Sequence, residues 1–190
     1  MGYVVDQKSQ MHSELGLLMP RLKAFAAALT GSEAMSQTLL KAARSHFLSR
    51  AAKDRGHTPL ALWAFTQMHT LWAGRMKPPR GERSPQADPR LFCPKSRVGD
   101  AGGAVRFARL IAQLGPQQRG TLHLVYGERL SYDEVAEIFG VPVATVMTRL
   151  ARSHAALAET GEREPQAFAA DTVPQQGQAG TGVQRQGRAA

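Results

Sequence analysis

Leu15, Leu18, Leu22, Phe25 and Leu29 recur at alternating spacings of three and four, which places them on one face of a helix. Pro20 falls inside that stripe. Proline suits a first helical turn and not a helix interior, so the pattern predicts that regular helix starts there. Thr30-Gly31 ends it, and a second helix is predicted over 32–50. A loop over 51–59 holds Lys53, Arg55 and His57. The third helix, 60–76, is apolar almost all round at its start (Leu60, Leu62, Trp63, Phe65), which predicts burial, with a polar edge at Thr66, Thr70 and Gly74.

The second half of the chain is patterned more sharply. A helix from about Ala104 carries Leu110, Ile111 and Leu114, and Gly115-Pro116 breaks it and starts the next. That helix turns Leu122, Val125 and Tyr126 inward and closes at Gly127-Glu128-Arg129. Ser131 and Glu134, three residues apart, form a capping box that opens a helix bearing Val135, Ile138 and Phe139. Gly140 stops it, Val141-Pro142-Val143 makes the turn, and a last helix runs to Glu159. The small Ala136 at a helix crossing, the turn glycine and the apolar anchor Val146 are the parts of a helix-turn-helix. Val143, Val146, Leu150 and Leu157 make the inward stripe of the last helix. Thr145, Thr148, Arg149 and Arg152 make an outward one without a carboxylate, suited to a DNA major groove.

Between the halves, residues 77–99 hold five prolines and a run of basic residues, so a flexible basic linker is expected there. Residues 161–190, rich in Gln, Gly, Pro and Arg, lack the apolar surface to offset ordering entropy and are expected to be disordered. The domain reading is a helical unit over 10–76, a linker over 77–100, a helix-turn-helix unit over 101–160 and the tail. The fold class is all-α.

Charge then narrows the partners. The chain of 190 residues has a formal net charge of +9, which points to an anionic partner. Residues 1–100 hold 15 Lys and Arg against 7 Asp and Glu, whereas residues 101–190 hold 9 against 8. The basic excess lies outside the helix-turn-helix. A single cysteine, Cys93, excludes an internal disulfide or a thiolate zinc cluster and suits a reducing compartment. The first residues show no signal peptide, and no apolar run is long enough to span a membrane. A cytoplasmic protein without membrane insertion is expected. The six histidines show no HExxH pairing, and no P-loop or GxGxxG motif is present. Neither enzyme, metal site nor cofactor is expected.

Residues 114–157, LGPQQRGTLHLVYGERLSYDEVAEIFGVPVATVMTRLARSHAAL, resemble the C-terminal DNA-binding region of extracytoplasmic-function (group 4) sigma factors. There an LPPxQR helix start precedes GxSYxEAAxxxGxxxGTVxSRLxRAR. More distantly, LMPRLKAFAAALTG at 18–31 is similar to the first helix of the other sigma domain. LALWAFTQMHTLW at 60–72 is similar to its LRAWLFTILRNLW helix, with His69-Thr70 in place of Arg-Asn. The acidic segment of the family, of the type DAEDLVQETLLRA, stands here as SEAMSQTLLKA and keeps only Glu33 of its acidic cluster.

The resemblance implies an alternative sigma factor that directs RNA polymerase core to promoter DNA, with an anti-sigma protein as a further partner. It implies that Thr145, Thr148, Arg149 and Arg152, with Ser153 and His154 nearer the backbone, read the upstream promoter element. Lys53, Arg55, His57, His69, Trp72, Arg75 and Lys77 would hold unpaired bases of the downstream element, with Trp72 as the DNA-facing aromatic and Trp63 and Phe65 in the core. Two other readings fit the residues: a sigma mimic that sequesters an anti-sigma factor, motivated by the eroded acidic segment, and a simple helix-turn-helix regulator.

Overall fold

Helix α1 runs from Gly2 to Thr30, straight through Pro20. This differs from the expected start at Pro20, and the reason is positional. Pro20 and Gly16, whose carbonyl a proline at 20 crowds, both lie on the solvent side, while Leu15, Leu22, Phe25 and Leu29 stay buried opposite. Packing of the apolar face carries the helix past the missing hydrogen bond. The computed structural model describes residues 2–76, 86–92 and 101–159. The tail at 161–190 and most of the linker therefore lie outside the described residues.

Gly31, with φ +66°, turns the chain into α2 (Glu33–Asp54), and Ser32 caps that helix by accepting a hydrogen bond from Met35 N. Helix α2 extends one turn beyond the expected Arg50, so Lys53 is helical and not in a loop. Helix α3 (Leu60–Arg75) buries Leu60, Trp63, Ala64, Phe65, Met68 and Trp72. After a short 3-10 turn (Pro89–Phe92) come α4 (Ala101–Gln113), α5 (Pro116–Leu122), a π-helical turn (His123–Gly127), α6 (Tyr132–Phe139) and α7 (Val143–Glu159). No strand occurs among the described residues.

The two halves share one apolar core. Phe25 packs edge-on to Phe65, with ring centroids 5.2 Å apart, and also meets Phe139 of α6 at 6.4 Å. Helix α3 packs against α1 and α2 and also against α6, and α1 packs against α5. A helix that is apolar on nearly all sides has more than one face to cover, and α6 covers the one that α1 and α2 leave open.

Close approach of α1 and α5 depends on Gly120. A Cβ there would lie 3.0 Å from Leu29 Cδ2 and 3.2 Å from Phe139 Cζ. Glycine inside a helix costs about 1 kcal/mol relative to alanine, and here it lets the two halves meet.

Candidate nucleic-acid interface

The helix-turn-helix is built by local rules. Ser131 Oγ accepts from Glu134 N at 3.3 Å, and Glu134 Oε2 accepts from Ser131 N at 2.8 Å, which satisfies donors at the start of α6. Gly140, at φ +62°, caps its end in the left-handed conformation that glycine adopts without strain. Thr145 N donates to Pro142 O at 2.8 Å and starts α7. Fully buried Val146 and Leu150 then fix the rotation of α7 about its axis.

That rotation decides which candidate residues face outward. Thr148, Arg152 and His154 are exposed, and Thr145 is half-buried. Ser153 is 0% exposed and donates through Oγ to Arg149 O at 2.7 Å. Its expected place near the DNA backbone is corrected by this burial: Val146, Leu150, Ser153 and Leu157 follow spacings of four, three and four, so Ser153 completes the inward stripe. His154 Nε2 is 3.0 Å from Tyr126 Oη, which braces the ring at the surface.

Arg149 takes an intermediate position. Its Nη2 donates to Gln117 Oε1 of α5 at 2.8 Å, and its guanidinium lies over the Phe139 ring. Nη1 is buried without a hydrogen-bond partner, and burial lowers the guanidinium pKa. One residue was missed by the sequence reading. Met147, 55% exposed, stands on the outer face of α7 among Ala144, Thr148 and Ala151. Small residues around an apolar tip let a helix sit deep in a groove, where thymine methyls offer apolar contact.

The candidates in the first half are more scattered. Arg55 is half-buried just after α2, His57 is exposed in the following turn, and Arg75 is exposed in the last turn of α3. Lys53 lies within α2, and Lys77 lies outside the described residues. Trp72 is 2% exposed, which corrects its expected DNA-facing position. His69 packs edge-on against Phe139, ring centroids 4.8 Å apart, and lies beside Trp72 at 5.8 Å. Trp63 and Phe65 are buried, as expected.

Polar contacts join the halves around this core. Arg119, 2% exposed, donates from Nε to Ala28 O of α1 at 2.8 Å and from Nη1 to Leu114 O. Burial lowers its pKa to about 10. Arg21 of α1 pairs with Glu128 at 2.5 Å, and His123 Nε2 lies 3.4 Å from the same carboxylate. Burial pushes the Glu128 carboxyl up, but the His123 ring and the Arg21 guanidinium outweigh it and hold the group below its ordinary value. Among the described residues no cluster of His, Cys, Asp or Glu could hold a metal ion. None of their helices is long and apolar enough to cross a membrane.

Residues 104–157 match the protein family described as Sigma-70, region 4. Over these residues the chain is similar to a sigma-70 region 4 domain. Region 4 here comprises most of α4 and all of α5, α6 and most of α7, so the capping box, the Gly140 turn and the exposed face of α7 all fall inside it. The chain as a whole has a sigma-factor fold. It resembles the sigma factor RpoE of Bartonella quintana, solved in complex with the anti-sigma factor NepR, at a TM-score of 0.65 and 21% identity. That likeness covers 80% of this chain and 96% of the other. No curated protein matches the chain in a sequence search.

Proposed function

We propose that the chain is a cytoplasmic alternative sigma factor of the extracytoplasmic-function type, which directs RNA polymerase core to specific promoters. The observation that carries this reading is the region 4 domain with Thr148, Arg152, His154 and Met147 on the open side of α7. Those side chains suit the major groove of an upstream promoter element, with Arg152 able to reach a guanine edge or a phosphate. The exposed Arg75 and the half-buried Arg55, with the exposed His57 near Arg55 in sequence, provide the basic side of the first half. The protein performs no bond chemistry: strand opening draws on binding energy within the polymerase complex. An anti-sigma protein is a fitting partner, and the RpoE likeness supports that expectation.

The test is transcription by purified core polymerase from promoters selected from the host genome, with and without the protein. Initiation that depends on the protein supports the reading. No initiation at any promoter, together with tight binding to an anti-sigma factor, would favour the mimic. Glu33, the residue retained from the acidic cluster, lies 3.4 Å from Lys23 and accepts a hydrogen bond from Gln37. Both contacts lie at the surface, with the Glu33 side chain 51% exposed, and the mimic as second reading rests on the loss of the other acidic residues of that segment.

A further inference from the structure

Most polar side chains expected to read bases from α7 are spent within the protein. Thr148 Oγ1 donates to Ala144 O of its own helix at 2.8 Å, so its hydroxyl proton is committed. Arg149 Nη2 donates to Gln117 Oε1, and buried Ser153 donates to Arg149 O. His154 Nε2 lies 3.0 Å from Tyr126 Oη. What α7 turns outward is small and apolar. At about 100° per residue, Ala144, Thr148, Ala151 and Ala155 stand opposite the buried Val146, Leu150 and Ser153, and all four are exposed. Met147 occupies one shoulder of that ridge, and the exposed Arg152 occupies the other.

We propose that Met147 reads a thymine through its C5-methyl group in the major groove, and that this apolar contact sets the base preference at that pair. The inference rests on the reading of α7 as a DNA-reading helix and deepens it by naming the base. In the major groove, base pairs differ in donors, in acceptors and in one apolar group, the thymine methyl. A thioether has no proton to donate and accepts only weakly, so it discriminates by burying that methyl. Its three rotatable bonds let it lie along the groove floor. The alanines beside it let the helix backbone come close. α7 carries no carboxylate ahead of its last residue, Glu159, so Met147 and Arg152 meet a polyanion without repulsion.

The test begins by selecting duplexes from a randomised library with the full chain, alone and joined to RNA polymerase core. Each thymine of the enriched site is then replaced singly by deoxyuridine, which removes the methyl and keeps every hydrogen-bonding group. Wild type is compared with Met147→Ala and with Met147→Gln, which keeps the side-chain length and adds an amide. Circular dichroism checks that the variants stay helical, and Met147→Gln serves if Met147→Ala does not fold.

The wild type is expected to lose about fourfold in affinity at one thymine, the effect of exposing one methyl group again. Both Met147 variants should bind the thymine and uracil duplexes equally at that position. Arg152→Ala should weaken binding to both duplexes and keep the fourfold difference. A wild type indifferent to every replacement would overturn the inference. So would a loss that persists in the Met147 variants, because another side chain would then hold the methyl. If the chain alone enriches a site but supports no initiation with core polymerase, the sigma reading fails, and the uracil duplexes still decide the Met147 contact. If neither arm enriches a sequence, Met147 reads no base and the inference falls, whatever the transcription assay returns.

Discussion

The guanidinium carbon of Arg149 lies 5.1 Å from the centre of the Phe139 ring, and Gln117 accepts one of its N–H groups. A residue whose type and spacing mark it for DNA is thus also part of the packing that joins α5, α6 and α7. Arg152, three residues on along the same helix, is exposed. The two arginines should therefore respond differently to truncation.

Arg149→Ala is expected to destabilise the fold by about 1–2 kcal/mol, the range for a partly desolvated cation–ring contact. Arg152→Ala should leave the thermal midpoint unchanged and weaken upstream-element binding by about 1–3 kcal/mol if it reads a guanine. Thermal melts beside duplex binding on matched and scrambled sequences check both. Equal losses on the two duplexes would show that Arg152 touches only phosphate.

Arg119→Leu removes hydrogen bonds to Ala28 O and Leu114 O inside the shared core. Bonds from a charged donor contribute about 1.5–3 kcal/mol each, and the carbonyls left behind are buried. A loss of about 3 kcal/mol is expected in urea unfolding. A loss below about 0.5 kcal/mol, the usual size for a surface substitution, would mean that Arg119 does not pin the halves together.

The Arg21–Glu128 pair gives stability a pH dependence of defined sign. The folded carboxyl is held below its unfolded value of about 4.3. Its contribution is complete above that value and fades as pH falls through the folded one. Glu128→Gln should therefore destabilise the protein at neutral pH and cost progressively less toward about pH 3. Denaturant midpoints of both proteins across that interval measure it, and a gap that stays constant with pH would exclude the ion pair as the cause.

Ser131→Ala deletes the cap of α6 and breaks the reciprocal bonds with Glu134. The expected cost is about 1 kcal/mol. Ser131→Asp should recover most of it, because a carboxylate also accepts at this position and suits the positive end of the helix. Denaturant unfolding of the three proteins checks the order.

The helix-turn-helix was legible because its determinants are local. Ser131 and Glu134 are three residues apart, Gly140 follows at once, and Val146 and Leu150 repeat on one face. The same periodicity, carried one step further, would have placed Ser153 inward. The contact between the halves was not legible. Arg21 and Glu128 are 107 residues apart, and Arg119 and Ala28 are 91 apart, so no local pattern links them. Gly120 was the one available hint, a glycine within a strongly helical stretch. Trp72 was misplaced although its spacing was legible: it lies four residues on from Met68 and seven from Phe65, so it continues the buried stripe of α3.

The seat of Ala87 on Gly31 makes the turn between α1 and α2 a two-sided joint. Gly31 O accepts from Asp88 N at 2.8 Å, and the 3-10 turn that follows packs on α4. A Cβ at position 31 would lie 2.5 Å from Ala87 Cβ, in a backbone conformation with φ +66° that side chains rarely adopt. One glycine therefore both reverses the chain between two helices and receives a segment from the other side of the molecule, so any larger residue there would disturb the bend and the seat together.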